Sequence, residues 1–285
     1  MRSNNNTILN RFFTRRVLKD LINNEVVSVY NSCINRYVSL PHNNFNNRDF
    51  VSAIYQFLNS NYRNEYFYKN TLFNKILIGN HSLNTTVALS EIPVNKSKAD
   101  FILINGKATV YEIKTQLDTF DRLKCQVMDY YRAFDRVIVL TSEENYDKLE
   151  LLLRGSTVGI NVLTKRNTIS VRKKPIVNRD YLDHSTIFKI LRKNEFENII
   201  KKFHGFLPET VPVSYYKECM KLFLSIEIDL LYPEVLRELK KRNIGEKEEF
   251  KKVVPYELKS LVYFSGFKKQ DYEKLYFFLN ECWRG

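Results

Sequence analysis

Between residues 86 and 172, short runs rich in Val, Ile and Phe alternate with segments of helical periodicity, and this order constrains the fold most. Strands are predicted at residues 86–94, 100–104, 108–114, 137–140, 159–163 and 168–172. Helices are predicted at residues 119–134 and 143–153. A strand of continuous apolar residues, as at 137–140, is typical of a sheet covered by helices. The order predicts an α/β or α+β fold with a mixed β-sheet flanked by helices.

The same pattern divides the chain into three parts. Residues 1–60 predict an N-terminal helical segment, and residues 61–175 contain the predicted sheet. The strand signal ends after Lys173-Lys174-Pro175, where helical stretches begin to alternate with Gly and Pro breaks. Residues 176–285 therefore predict an all-helical C-terminal region.

The formal net charge of +13 is unevenly distributed. Residues 1–175 carry 25 Lys and Arg against 15 Asp and Glu, whereas residues 176–285 carry 20 against 17. A basic first part favours nucleic acid as a partner, because Lys and Arg displace counterions from phosphates, although plain solubility also explains such an excess. The near-balanced helical region suits contact with a protein partner, or self-association.

Several classes of protein are excluded or disfavoured by the sequence. No apolar run approaches the roughly 20 residues of a membrane span, so no membrane is expected as a partner. The four cysteines are far apart, which excludes a thiolate zinc site and argues against a disulfide framework. The first residues lack the apolar stretch of a secretory signal. We therefore expect a cytoplasmic protein.

Charged residues stand at the ends of two neighbouring predicted strands. Asp100 begins one strand, and Glu112-Ile113-Lys114 ends the next. Because side chains alternate along a strand, Glu112 and Lys114 share a face. Two acids beside apolar strands suggest a hard cation such as Mg²⁺, with Lys114 placed to orient a water or stabilise charge on a phosphate. A Glu-x-Lys sequence by itself is more commonly a surface ion pair.

The turn between these two strands decides whether the acids meet. Asn105-Gly106 is a strong hairpin signal, but a strict two-residue turn pairs Asp100 with Tyr111 and directs Asp100 away from Glu112. A three-residue loop, with Gly106 at positive φ beside a bulge, brings both acids to one face. We predict the three-residue loop.

Two polar residues follow on the next predicted helix. Gln126 and Tyr130 are four residues apart and share a helix face. An amide and an aromatic hydroxyl suit the task of holding a nucleic-acid strand over a metal site, although an ordinary polar helix face explains them as well.

Two further acids are candidates for the same site. Glu65 lies in a helix predicted at residues 63–77, where it also suits an i,i+4 pair with Lys69. Glu91 lies in the strand that precedes Asp100, where it also suits a water-facing position.

Asp100, followed by Glu112-Ile113-Lys114 and then by Gln126-x-x-x-Tyr130, resembles the PD-(D/E)xK phosphodiesterase superfamily, in its RecB-like branch with a Gln-x-x-x-Tyr helix. The longer stretches at 64–70, 97–100, 111–115 and 117–123 are similar to a sce-type bacterial family of uncharacterised proteins in that superfamily. The resemblance covers about residues 60–145. Ala99 precedes the acid where proline is usual.

This resemblance implies a restriction-endonuclease-like core and Mg²⁺- or Mn²⁺-dependent cleavage of phosphodiester bonds. The implied site residues are catalytic Asp100, Glu112 and Lys114; metal-binding Asp100, Glu112, Ile113 (through its carbonyl) and Glu65; and substrate-binding Gln126, Tyr130 and Glu91.

The leading hypothesis is a metal-dependent nuclease acting on DNA, in phage defence, mobile-element biology or repair. The rival is a non-catalytic module that binds nucleic acid or protein through a nuclease-like core. A third hypothesis is an RNA-cleaving defence effector, which would use the same residues.

Overall fold

The computed structural model describes residues 6–25, 27–39 and 45–283, which form two compact units. Met1–Asn80 joins Ile244–Gly285 in the first unit, and His81–Asn243 forms the second. These limits differ from the predicted boundaries after residues 60 and 175, because the C-terminal helices are divided between the units. Periodicity shows which face of a helix is buried but not which element buries it.

The first unit consists of helices from both ends of the chain. Those before residue 81 are α1 (Thr7–Phe12), α2 (Arg15–Ile22), α3 (Ser28–Tyr37), α4 (Asn47–Asn61) and α5 (Glu65–Leu72), continued by a π-helix at Phe73–Ile78. Those after residue 243 are α12 (Lys247–Val253), a 3-10 helix at Tyr256–Leu258, α13 (Lys259–Phe264) and α14 (Lys269–Asn280). Buried amides join the two groups, since Asn70 donates to the main-chain oxygen of Tyr256 over 3.0 Å.

The second unit contains all the strands of the described residues. They are β1 (Val87–Leu89), β2 (Ile92–Val94), β3 (Ser97–Ala99), β4 (Phe101–Ile104), β5 (Ala108–Lys114), β6 (Val137–Ser142), β7 (Gly159–Leu163) and β8 (Ile169–Lys173). Six of them form one sheet in the order β1-β4-β5-β6-β7-β8, and β2 pairs with β3 in a separate ribbon. The pairs β5–β6 and β6–β7 are parallel and the other pairs are antiparallel.

The helices of this unit are α6 (Leu123–Tyr131), α7 (Glu143–Leu152), α8 (His184–Ile190), α9 (Lys193–His204), α10 (Pro212–Leu224) and α11 (Ile228–Lys240). The predicted mixed sheet flanked by helices is therefore confirmed, and the fold is α/β. The helical character predicted after residue 176 is also confirmed. Within the three described stretches of the chain, no helix is long and apolar enough to cross a membrane.

One hydrophobic core holds the second unit together. Alternate residues of the sheet, such as Val110 and Val139, face helical residues such as Phe188, Phe223 and Tyr232, and all five are at most 1% exposed. A fully buried side chain of this size contributes roughly 1.5–3 kcal/mol to folding. Glu112 lies two residues after Val110 on the same strand, so its side chain enters the sheet face that carries this core.

The hairpin between β4 and β5 has the predicted three-residue loop. Ile104 pairs with Ala108, which leaves residues 105–107 in the turn, and Gly106 has φ +67°. The described ladder continues to Phe101 opposite Tyr111 without a shift. One residue further on, Asp100 is level with Glu112, so both acids belong to one face of the sheet.

The single strand predicted at residues 86–94 is wrong. The chain breaks between β1 and β2, where Glu91 has φ +59°. After this break β2 leaves the large sheet and pairs with β3, a three-residue strand whose short polar sequence gives no alternating signal.

Gly159, the first residue of β7, provides a test of this packing. A Cβ atom built there would lie 2.8 Å from the main-chain nitrogen of Pro175 and 3.0 Å from the main-chain oxygen of Lys173. Because both atoms belong to the backbone, Gly159→Ala is expected to lower the free energy of unfolding by about 1–3 kcal/mol. Chemical denaturation measures this change. Gly245→Ala, where a Cβ meets open space, is the control, and equal stability of the two variants would contradict the packing described.

Candidate active site

The carboxyl end of β5 brings the two predicted acids together. Asp100 Oδ2 accepts a hydrogen bond of 2.8 Å from the main-chain N–H of Ile113, the residue between Glu112 and Lys114. The three-residue loop makes this contact geometrically possible, because it sets the strand register that places Asp100 level with Glu112. The predicted convergence of Asp100 with the Glu-x-Lys sequence is therefore present.

Glu112 is a buried carboxylate surrounded by donors. Its side chain is 2% exposed, and Oε1 lies 2.9 Å from the Lys114 ammonium. Gln126 Nε2 donates to the same oxygen over 2.6 Å, and the Tyr130 hydroxyl donates to Oε2 over 2.5 Å. A buried ion requires such compensation, since desolvation costs several kcal/mol. The cluster made by Glu112, Lys114, Gln126 and Tyr130 is called the carboxylate cluster below.

Helix α6 supplies two members of the carboxylate cluster. Gln126 and Tyr130 are one helical turn apart, and their side chains reach Glu112 from the same helix face, as predicted. Gln126 Oε1 also accepts from the Lys114 ammonium over 3.0 Å. The Gln126 amide therefore bridges both charges and fixes the separation between them.

Tyr130 remains a neutral donor over the whole pH range in which proteins normally work. Burial, followed by the negative charge of Glu112 and the hydrogen bond to it, raises the pKa of Tyr130 above its ordinary value. The charge of Asp100 raises this pKa further, so both carboxylates act on one hydroxyl. The hydroxyl has a single hydrogen and also lies 3.0 Å from the main-chain oxygen of Lys98, which is its second available acceptor.

The end of β5 is held in place by neighbouring side chains. Thr141 on β6 donates to the main-chain oxygen of Lys114 over 2.8 Å, and Asn145 on α7 donates to that of Thr115 over 2.9 Å. Asp118 accepts from the main-chain N–H of Thr115 over 2.8 Å. Satisfied backbone groups at the strand end restrict the movement of the Glu112 and Lys114 side chains.

A second buried carboxylate, Asp129, was not among the predicted site residues. It accepts hydrogen bonds of 2.6 Å from Asn95 and from Ser97, and so ties α6 to the β2–β3 ribbon. The sequence signal was its position between Gln126 and Tyr130. Asp129 is the residue before Tyr130 on α6, so its side chain lies on another face of the helix.

Glu91 reaches the site from the break between β1 and β2. One of its carboxylate oxygens lies within 4.8 Å of one from Asp100. It also pairs with the ammonium of Lys98, a further cation that sequence reasoning did not select. Positive φ at a glutamate costs about 1 kcal/mol and is commonly retained where function requires it.

Glu65 belongs to the other compact unit. It is the first residue of α5, and its carboxylate lies 3.0 Å from the Lys69 ammonium. This is the i,i+4 pair that the sequence offered as the alternative. A metal-binding role for Glu65 remains a prediction.

The donor set of the second unit fits a hard divalent cation. Asp100 and Glu91 offer carboxylate oxygens that lie within 4.8 Å of each other, and Asp100 bonds the main-chain N–H of Ile113, the residue next to Glu112. Mg²⁺ and Mn²⁺ prefer such oxygen ligands.

Comparison with known proteins identifies a family. The model of a family described as bacteriophage P4 protein cII matches residues 58–261, which is more than two thirds of the 285 residues. No curated protein matches, and no solved structure matches.

Proposed function

The chain belongs to the bacteriophage P4 protein cII family, and we propose that it is a metal-dependent nuclease that hydrolyses phosphodiester bonds in DNA. One observation carries the proposal: Asp100 bonds the main-chain N–H between Glu112 and Lys114, so that two acids and an amine share one strand end. The resemblance of these residues to the PD-(D/E)xK pattern supports the same reaction.

The metal would be held by Asp100 and Glu112, with the Ile113 carbonyl and Glu91 as further ligands in the second unit. A divalent ion bound there would polarise the scissile phosphate and lower the pKa of an attacking water. Mg²⁺ or Mn²⁺ is the expected ion, because the ligands are hard oxygen atoms.

Lys114 has the central part among the protein's own groups. Its side chain is 12% exposed, and its ammonium bonds Glu112 and Gln126. In that position the ammonium orients a water and stabilises negative charge that develops on the phosphate. Gln126 and Tyr130 hold Glu112 in one orientation and thereby position the acid rather than react.

DNA is the proposed substrate because the excess of positive charge lies in residues 1–175, which include the site. The same residues would serve RNA cleavage, so RNA is the second substrate to be tested. Of the expected settings, mobile-element biology agrees best with a family that takes its description from a bacteriophage protein.

A cleavage assay tests the proposal. The purified chain is incubated with plasmid, single-stranded DNA and RNA in Mg²⁺, Mn²⁺ or EDTA. We expect DNA to be cut with Mg²⁺ or Mn²⁺ and to remain intact in EDTA. Cleavage of RNA alone would move the function to an RNA-cleaving effector. Binding of nucleic acid without cleavage in either metal would favour the non-catalytic module and contradict the nuclease.

A further inference from the structure

The parallel strands of the sheet place a turn beside Lys114. Strands β5, β6 and β7 run in the same direction, and Lys114 pairs with Thr141, which pairs with Val162. The turn at residues 164–168 follows β7 and leads into β8, so it extends from the same edge of the sheet as Lys114. Because adjacent strands are about 4.8 Å apart, this turn is displaced sideways from Lys114 by about 10 Å.

The turn is fixed by its own hydrogen bonds. Asn167 N–H donates to the Thr164 carbonyl over 3.0 Å, and Thr164 N–H donates to the Thr168 carbonyl over 2.9 Å. Asn167 has φ +59° and is therefore the left-handed residue that closes the turn. Lys165 and Arg166 are therefore the two central residues, and both side chains are exposed. A rigid turn binds a ligand at a small cost in conformational entropy.

The segment that contains this turn is strongly basic. Residues 151–175 include six Lys and Arg and no Asp or Glu. Arg172 and Lys173 lie in β8, where Arg172 pairs with Glu143 over 2.8 Å and Lys173 donates to the main-chain oxygen of Leu153 over 2.9 Å. The other four lie outside the strands and are exposed: Lys165 and Arg166 at the edge of Lys114, Arg154 and Lys174 at the opposite edge.

We infer that Lys165 and Arg166 bind backbone phosphates of the nucleic-acid strand whose scissile phosphate is at Lys114. This inference rests on the proposed function for the position of the scissile phosphate. A displacement of about 10 Å corresponds to about three nucleotides at 3.4 Å of rise each. The substrate is accordingly an oligonucleotide or polynucleotide that extends from β5 towards β8, and a phosphodiester of one or two nucleotides is too short to reach the turn.

Direct binding tests the inference with two matched variants. Lys165→Gln combined with Arg166→Gln removes two charges at the Lys114 edge, and Arg154→Gln combined with Lys174→Gln removes two charges at the opposite edge. The affinity of the full chain for a fluorescein-labelled single-stranded 20-mer is measured by anisotropy in EDTA at several KCl concentrations. We expect the first double variant to raise the Kd about tenfold. The slope of log affinity against log KCl concentration should become shallower by about 1.4, because two phosphate contacts to a single strand are lost. The second is expected to remain within twofold of the unmodified chain.

Equal losses in the two double variants, or no loss in the first, would overturn the inference. Cleavage in Mg²⁺ is measured separately with the unmodified chain, using the 20-mer and bis(p-nitrophenyl) phosphate. If only the first double variant loses affinity and the unmodified chain shows no metal-dependent cleavage, the nuclease is refuted but the basic turn remains a nucleic-acid contact. If the unmodified chain cleaves DNA in a metal-dependent way and the two double variants lose equal affinity, the nuclease stands and phosphate binding by the turn is refuted. In an active enzyme, the first double variant should raise KM for the 20-mer and leave hydrolysis of the small diester unchanged.

Discussion

Glu112→Gln is expected to abolish metal-dependent cleavage, with a loss of roughly 10³-fold or more in kcat, because it removes a carboxylate ligand of the proposed metal. The expected loss comes from chemistry and not from unfolding. Glutamine has the same shape, and its amide oxygen can accept from Gln126 and Lys114 as Glu112 does. Its amide nitrogen would then face the Tyr130 hydroxyl, which can accept from it and donate to the main-chain oxygen of Lys98.

Rates of cleavage of a labelled DNA strand in Mg²⁺, together with chemical denaturation, measure this result. Glu150→Gln is the matched control, since it removes the same charge from an exposed residue of α7 whose partner is Tyr146. Full cleavage by Glu112→Gln would make the mechanism wrong.

Lys114→Met is expected to reduce kcat by about 10²–10³-fold while the chain still binds a divalent ion. The ammonium is the cation nearest to Glu112, and its removal leaves Gln126 and Tyr130 as donors to that carboxylate. A divalent ion no longer competes with Lys114 for Glu112, so Mn²⁺ affinity should be equal or higher. This separates Lys114→Met from Glu112→Gln, which is expected to lose both cleavage and Mn²⁺ affinity.

The control for this variant is Lys148→Met, an exposed lysine on α7. Cleavage rates and Mn²⁺ titrations of the two variants give the comparison. If Lys114→Met cleaved DNA as fast as Lys148→Met, the role assigned to the ammonium would be refuted.

The parts of the fold that could be predicted are those that depend on residues close together in the sequence. The apolar strands and Asn105-Gly106 predicted a hairpin with two alternative registers, and the charged residues at the strand ends favoured the three-residue loop, whose register brings Asp100 level with Glu112. The spacing of Gln126 and Tyr130 likewise predicted a shared face on α6. These inferences need only strand alternation and helical periodicity.

The parts that were missed depend on contacts between distant segments. Both strands of the β2–β3 ribbon are only three residues long, and Asp129 holds the ribbon from 32 positions away along the chain through Ser97. The division of the C-terminal helices between two units depends on which apolar faces meet, and amphipathic patterns are alike on both sides of residue 243. The pair between Lys98 and Glu91 was missed because Glu91 stands at a break in the chain, with φ +59°, that strand alternation does not predict.

The central claim is that Asp100 and Glu112 bind one divalent cation between them. Titration of the full chain with Mn²⁺, followed by calorimetry or by the electron paramagnetic resonance of free Mn²⁺, measures this directly. We expect saturable binding that is lost in both Asp100→Asn and Glu112→Gln and retained in Glu150→Gln. Absence of Mn²⁺ binding, or equal binding by all four proteins, would contradict the claim.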